Sequence, residues 1–155
     1  MKQGKKYGSH SNTHPHVNKL SYEKNIEEIE LSNDKLEKII GKRTNLYRAP
    51  YGEYNNTVIQ SAQDKGYFTI QWSVDSLDWK NYGVDAIVNE VINNKSLKPG
   101  AIILMHNGAK YTAQALPKVI EGLKQKGYEI VPISKLIYKD NFHMEHDGCQ
   151  VKNGE

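Results

Sequence analysis

Two histidines lie close together near the start of the sequence, in the run His10-Ser11-Asn12-Thr13-His14. Two imidazoles at this spacing can bind one metal ion if the segment folds into a single turn. Because Pro15 disfavours the α region for His14, we expect a turn at the end of a strand. A pair of exposed loop histidines is the alternative. His16 is expected to be a neighbour of this site rather than a ligand.

An arginine and a rigid turn follow a short strand at Arg48-Ala49-Pro50-Tyr51-Gly52. The planar guanidinium of an arginine at a strand end can hold a carboxylate through two hydrogen bonds. A surface arginine before an ordinary turn is the alternative interpretation.

Two carboxylates and a tryptophan, Asp75, Asp78 and Trp79, directly follow an aromatic and β-branched strand. An aspartate can orient a histidine, and a tryptophan can stack on a sugar ring; a turn stabilised by aspartate side chains is the alternative. His106 ends the apolar strand that contains Leu104, and a histidine beside a carboxylate can act as a general acid. A buried structural histidine is the alternative there.

The periodicity of apolar residues predicts the elements that must position these side chains. Helices are predicted over residues 21–40, 55–65, 84–93 and 117–127, with a short one near 134–138, and strands over 45–48, 67–74, 101–105 and 128–133. This alternation predicts an α/β fold with a mostly parallel sheet. In such folds functional side chains lie at the carboxyl ends of strands, where these candidates occur.

The composition excludes several classes of protein. A chain of 155 residues is one ordinary domain, and a net charge of +3 without a basic stripe argues against a nucleic-acid partner. A mean hydropathy of -0.72 and the absence of a long apolar run argue against a transmembrane helix. A single cysteine, Cys149, excludes an internal disulfide framework.

Taken in order, the segments HSNTHP, RAPYG, DSLDW and LMH resemble the motif set of the polysaccharide deacetylases, the NodB-homology domain of carbohydrate esterase family 4. The resemblance runs from about Ser9 to about Leu136. The C-terminal segment IYKDNFHMEHDGCQVKN further resembles the end of deacetylases from spore-forming Gram-positive bacteria.

The resemblance implies a distorted, incomplete (β/α) barrel that removes acetyl groups from N-acetylated amino sugars, most plausibly in peptidoglycan. It implies a divalent metal, zinc first and cobalt or nickel as alternatives, held in part by His10 and His14. It assigns the general acid to His106 and its acidic partner to Asp78. Asp75 corresponds to the other carboxylate of that motif and Arg48 to the arginine that orders the site's carboxylates.

The resemblance also implies a glycan as partner, with a sugar groove lined by Pro50, Tyr51, Trp79 and Leu104, and an oxyanion bound by the backbone N–H of Tyr51. Family members open with a TFDDG-type motif that supplies a base and a third metal ligand, and the sequence contains no such motif. We therefore expect a domain at residues 1–138 that lacks its first strand and is impaired in catalysis. The gap in the barrel is expected to favour homo-oligomers.

Residues 139–155 are expected to form a polar C-terminal tail. The sequence carries no secretory signal, but the full-length protein is expected outside the cytoplasm or at the cell wall.

Two other functions remain open on the sequence alone. One is a glycan-binding protein of the same fold without turnover, and the other is a metal-binding α/β domain with an unrelated role. Two groups offer carboxylates that could replace the missing ones: Glu53, expected to point outward, and a polar cluster in the tail, expected to be solvated. That cluster comprises His143, Glu145, His146, Asp147 and Cys149.

Overall fold

The computed structural model describes residues 6–154, which divide into two compact units. The described part of the first, the terminal unit, comprises residues 6–71 and 137–154; the second, the central unit, comprises Trp72–Leu136. Within residues 6–154 no helix has both the length and the apolar character needed to cross a bilayer.

The terminal unit contains two helices, a parallel strand pair and an antiparallel hairpin. The helices are α1 (Tyr22–Ile40) and α2 (Asn56–Asp64), the parallel strands are β1 (Leu46–Tyr47) and β2 (Phe68–Thr69), and the hairpin strands are β5 (Phe142–Met144) and β6 (Gln150–Lys152). Short 3₁₀ turns cover Val17–Lys19 and Pro50–Gly52. Its core consists of Val17, Ile29, Tyr47, Ala49, Val58, Ala62 and Tyr67.

The central unit contains a second parallel strand pair with its own helices. The strands are β3 (Val74–Asp75) and β4 (Ile103–Leu104), the helices are α3 (Val84–Ile92), α4 (Thr112–Gln125) and α5 (Ile133–Leu136), and a 3₁₀ turn covers Asp78–Lys80. Its core consists of Val74, Ile87, Val91, Ala115, Val119 and Leu123.

Helix α1 confirms the prediction over 21–40 and shows how its ends are fixed. The Ser21 hydroxyl accepts a hydrogen bond from the backbone N–H of Lys24, and Gly41 ends the helix at a φ of 77°, which favours glycine. The buried face of α1 is largely polar, because Asn25, Ser32 and Asn33 are buried beside Ile29. Asn25 donates to the carbonyls of Val17, Leu20 and Ser21. The buried face of α1 therefore forms hydrogen bonds to the preceding segment in addition to its apolar packing.

Parallel pairing of β1 with β2 and of β3 with β4 confirms the α/β prediction. The described strands form three two-stranded sheets and no closed barrel. The incomplete barrel of the NodB type, lacking its first strand, therefore remains a prediction, although similar solved structures described below share the fold.

Three predicted elements differ in the structure. The predicted strand 67–74 is two separate strands, β2 and β3, which belong to different units. Residues 128–132 form no strand, although their composition favours one, because no described strand pairs with them. Helix α4 begins at Thr112 rather than at Pro117, with the Thr112 hydroxyl bound to a buried carboxylate.

The segment predicted as a polar tail contains the hairpin of β5 and β6 and belongs to the terminal unit. The Tyr54 hydroxyl donates to the His146 carbonyl at 2.7 Å, which ties the hairpin to the loop after Gly52. His143 bonds to Glu145 and Asn153 within the hairpin.

Candidate functional site

The two histidines of the first motif follow a short stretch of backbone that runs beside β1. The Ser9 N–H donates to the Leu46 carbonyl at 2.8 Å, and the Arg48 N–H donates to the Ser9 carbonyl at 3.0 Å. The backbones approach so closely that a Cβ on Gly8 would lie 2.9 Å from Leu46 Cβ. This pairing brings residues 10–16, here called the histidine loop, next to the end of β1.

Within the histidine loop the two imidazoles of the predicted metal site lie side by side. The ring centroids of His10 and His14 are 5.0 Å apart, with an interplanar angle of 79°. His10 Nδ1 is 2.6 Å from the Arg48 carbonyl, and since a carbonyl can only accept, Nδ1 carries the proton. That tautomer puts the ring's lone pair on Nε2, the arrangement in which a histidine binds a metal through Nε2.

These histidines fit two positions in the coordination shell of a zinc ion, which accepts imidazole nitrogen. Among residues 6–154, however, no group of three or more His, Cys, Asp or Glu side chains is arranged to hold a metal ion. The part of the chain that the structure describes therefore provides a pair of candidate ligands rather than a full set.

A carboxylate from helix α1 binds the histidine loop. Glu28 Oε2 accepts hydrogen bonds from Ser11 Oγ at 2.7 Å and from the N–H groups of Asn12 and Thr13 at 2.8 Å each. Glu28 Oε1 accepts one from Thr13 Oγ1 at 2.8 Å. Partial burial raises the pKa of the Glu28 carboxyl, but these hydrogen bonds outweigh it and the net pKa is lowered. Reasoning from the sequence missed this residue.

The aromatic ring of Tyr51 packs against the histidine loop. It lies edge-on to His14 at 4.6 Å and stacks on His16 at 4.4 Å between centroids. Tyr51 has a φ of 57°, in the left-handed region that side chains disfavour. Tyr51 is 58% exposed as a residue, although it packs on two histidines.

Glu53 holds His16 in place rather than pointing outward as expected. Its Oε1 is 2.6 Å from His16 Nδ1, and its Oε2 accepts from the Asn18 N–H at 3.3 Å. The hydrogen bond from His16 lowers the pKa of the Glu53 carboxyl, and burial opposes this only in part. His16 is thus a neighbour of the predicted site, in contact with a predicted sugar-binding residue.

Arg48 and Pro50 occupy the segment directly after β1. The Arg48 carbonyl binds His10, and burial lowers the pKa of the half-buried guanidinium. Pro50 is buried at the start of the 3₁₀ turn that contains Tyr51. The predicted role of the guanidinium in ordering carboxylates stays a prediction.

In the central unit, Asp78 and His106 form a close pair. Asp78 is fully buried, and its Oδ1 lies 2.7 Å from His106 Nδ1. Its Oδ2 accepts from the His106 N–H at 2.7 Å and from Thr112 Oγ1 at 2.6 Å. Burial raises the pKa of Asp78, but the hydrogen bonds from Thr112 and His106 outweigh it and the net pKa is lowered. No sequence signal indicated Thr112.

The other predicted residues of the central unit lie on β3, on β4 and in the following turn. Asp75 pairs in register with Leu104, and its Oδ1 accepts from the Leu77 N–H at 2.9 Å, which stabilises the turn. Leu104 is buried, whereas Trp79 is 53% exposed with Lys80 Nζ 5.2 Å from its ring centroid. The turn interpretation of Asp75 thus has a direct structural basis, and its part in chemistry stays a prediction.

Comparisons with known proteins agree with the family resemblance of the sequence. The family described as polysaccharide deacetylase matches residues 1–70. A peptidoglycan-N-acetylglucosamine deacetylase from Bacillus cereus is 37% identical over 142 residues, which cover 88% of this chain and 65% of that protein.

Two solved structures are similar to this chain. A pseudoenzyme of carbohydrate esterase family 4 from Bacillus anthracis has a TM-score of 0.79 at 32% identity, covering 85% of this chain and 46% of that one. A family 4 carbohydrate esterase from Streptomyces lividans, in complex with acetate, has a TM-score of 0.71 at 36% identity, covering 77% and 61%. The chain thus spans less than two thirds of each of these three relatives.

Proposed function

The chain belongs to the polysaccharide deacetylases of carbohydrate esterase family 4, and from this premise we propose that it acts in removing acetyl groups from N-acetylated amino sugars of a polysaccharide. The substrate class we propose is peptidoglycan, on which the Bacillus cereus relative is named as acting. A protein with this substrate works outside the cytoplasm or at the cell wall, and that is the location we propose.

The observation that carries this proposal is the Asp78–His106 pair. Hydrolysis of an acetamide requires a proton for the departing amine, and a histidine held by a carboxylate is suited to deliver it. Asp78 binds the Nδ1 side and the backbone N–H of the same histidine, which fixes the ring's orientation. His106 would then present Nε2 to the leaving nitrogen.

We assign the remaining roles to residues of the histidine loop and of the segment after β1. His10 and His14 would hold a divalent metal, with zinc as the first choice and cobalt or nickel as alternatives. When bound, such a metal supplies Lewis acidity toward a carbonyl and lowers the pKa of a bound water. The Tyr51 N–H would donate to the oxyanion, and Arg48 would order carboxylates.

We further propose that turnover by these 155 residues alone is impaired. The sequence contains no TFDDG-type pair of aspartates, which in the family supplies a base and a third ligand. Consistent with this, the described residues offer no group of three metal-binding side chains.

Acetate release tests the proposal directly. The chain is incubated with zinc and with N-acetylglucosamine oligomers or peptidoglycan, and free acetate is measured against His106→Gln as the matched control. We expect slow release that depends on zinc and disappears in the variant. Release at the rate of a complete family member would overturn the impairment, and release unaffected by His106→Gln would overturn the assigned acid.

A glycan-binding protein without turnover is the second candidate, favoured by exposed aromatic side chains. Tyr51 is 58% exposed and Trp79 is 53% exposed, and sugar-stacking residues are likewise accessible from solvent. Moreover, one of the similar structures is described as a pseudoenzyme. Sedimentation with insoluble peptidoglycan in the presence of a chelator, repeated with Tyr51→Ala and Trp79→Ala, separates the candidates. Zinc-independent binding that needs both rings, together with no acetate release, would select this second function.

A further inference from the structure

Glu28 is the one side chain of α1 whose carboxylate takes up four hydrogen bonds from the histidine loop, within the part of the chain that the structure describes. Its two oxygens accept from the Ser11 and Thr13 hydroxyls and from the Asn12 and Thr13 N–H groups. The four donors lie between His10 and His14 in the sequence. A carboxylate here therefore fixes the backbone that separates the two candidate ligands.

The loop needs such an anchor because its backbone is strained at two places. Ser11 and His14 have φ values of 69° and 58°, in the left-handed region, and neither is glycine. Conformations of this kind persist only where surrounding contacts hold them. Glu28 supplies these contacts from a helix, and a helix is a more rigid support than a loop.

The anchor also reaches His14 through a relay. The Ser11 hydroxyl donates to Glu28 Oε2, and Ser11 Oγ in turn accepts a hydrogen bond from the His14 N–H at 3.0 Å. The conformation of His14 is thus linked to the Glu28 carboxylate by two consecutive hydrogen bonds. His10 is held separately through the Arg48 carbonyl.

The neighbouring glutamate shows that this arrangement is specific to one position. Glu27 is exposed and pairs with Lys24 Nζ at 2.5 Å on the same helix. Glu28 is half-buried and lies on the same face as the buried Asn25 and Ser32, at helical spacings of three and four residues. A solvated helix face accounts for Glu27 but not for Glu28.

We propose that Glu28 is a positioning residue that fixes the histidine loop in the conformation in which His10 and His14 bind a divalent cation. The inference rests on the proposed metal role of the two histidines. Groups that orient metal ligands without touching the metal typically change affinity by about 10- to 100-fold when mutated. We expect an effect of that size on the binding of Zn²⁺.

The test compares Glu28→Gln with Glu27→Gln in the whole chain. Glutamine keeps the size of the side chain but removes its charge and replaces one of the two acceptor oxygens with an amide NH₂, so the hydrogen bonds that remain to the loop are no longer strengthened by an ionised acceptor. Calorimetric titration with Zn²⁺ should show an affinity about 10- to 100-fold weaker for Glu28→Gln and unchanged for Glu27→Gln. Equal Zn²⁺ affinity in all three proteins would overturn the proposal.

A second measurement separates this inference from the proposed function. Amide hydrogen exchange without metal should show Asn12 and Thr13 more weakly protected in Glu28→Gln than in the parent and in Glu27→Gln. If the parent shows this protection and yet binds no Zn²⁺, the metal role of the histidines fails while the anchoring of the loop stands. If the two amides are equally protected in Glu28→Gln, the anchoring fails.

Ser11→Ala serves as a further variant in case Glu28→Gln does not fold. It removes the relay to His14 but leaves the Glu28 bonds to Asn12 and Thr13, so we expect an intermediate loss of Zn²⁺ affinity. Global unfolding followed by circular dichroism identifies loss of fold. A loss of Zn²⁺ affinity in variants whose melting temperatures are unchanged supports the positioning role of Glu28. If Zn²⁺ affinity falls only in variants whose melting temperature falls to the same degree, the positioning role is overturned.

Discussion

His106 in the central unit and the histidine loop in the terminal unit are each oriented by a carboxylate, in different surroundings. Asp78 is fully buried and binds the imidazole itself, through Nδ1, together with the backbone N–H of the same residue. Glu28 is half-buried and binds hydroxyls and N–H groups of the loop, not an imidazole. Asp78 can therefore affect proton transfer by His106, whereas Glu28 affects the position of the histidine loop.

This difference indicates how the two regions respond to change. Leaving a buried ionised group without its hydrogen-bond partners costs folding free energy, whereas a partly exposed group can form hydrogen bonds with water instead. Substitutions around Asp78 should thus lower the free energy of unfolding. Substitutions around the histidine loop should change the affinity of the loop for its ligands.

The largest effect is expected from Asp78→Ala. Removing the carboxylate leaves the His106 N–H, the His106 ring and the Thr112 hydroxyl without their acceptor. We expect the free energy of unfolding to fall by about 3 kcal/mol, measured by urea denaturation.

The matched control for Asp78→Ala is Asp85→Ala. Asp85 lies exposed on α3, 3.1 Å from Lys118 Nζ, and an exposed ion pair contributes about 0–1 kcal/mol. Equal losses of unfolding free energy in Asp78→Ala and Asp85→Ala would show that buried and exposed carboxylates do not differ in this protein.

The limits of α1 could be predicted from the sequence, and its inner face could not. Ser21 and Gly41 determine the ends through their own local chemistry. The buried Asn25 and Asn33 look like surface residues in the sequence, because their partners lie in loops whose course only the tertiary structure defines. The same reason explains the missing strand at 128–132, since strand propensity does not create a pairing partner.

The candidate site divides in a similar way. The motifs contained His10, His14, Asp78 and His106. Their residue types and order indicated a chemical role, but the sequence could not give the distances between them. Glu28 contacts the histidine loop from 17 residues beyond Ser11, Thr112 contacts Asp78 from 34 residues away, and neither belongs to a motif. In the sequence Glu28 resembles its neighbour Glu27, which is exposed on the same helix, so no sequence signal indicated its role.

The second prediction concerns pH and uses Asp78→Asn. The folded pKa of Asp78 lies below the value of about 3.9 found in unfolded chains, so the ionised group stabilises the fold above about pH 4 and this contribution is lost as the pH falls through the folded pKa. We expect a difference in unfolding free energy between parent and variant of about 2 kcal/mol at pH 6. The difference should shrink steadily below pH ~4. A constant difference from pH 6 down to the acid transition would mean that the Asp78 charge does not stabilise the fold.

A smaller effect is expected from Thr112→Val. The variant keeps the shape of the side chain and removes one of the three hydrogen bonds to Asp78. We expect a loss of about 1.5 kcal/mol in unfolding free energy, because the acceptor is charged and buried. Thr112→Ser retains the hydroxyl and should recover most of that loss. A Thr112→Val variant as stable as the parent would show that this hydrogen bond does not stabilise the fold.

The smallest effect is expected at the edge of the histidine loop, from Glu53→Gln. The Glu53 carboxylate accepts from exposed His16, whose ring stacks on Tyr51, so its loss should loosen Tyr51 while costing only about 0.5 kcal/mol of stability. The sensitive measurement is tyrosine mobility in NMR spectra, where Tyr51 should change and Tyr82 should serve as internal reference. Asp78→Ala is expected to act on stability and Glu53→Gln on local order, so together the two variants test the contrast between the two regions. A loss of stability at Glu53 as large as that at Asp78 would show that partly exposed and fully buried carboxylates support this fold equally, and the contrast between the two regions would be wrong.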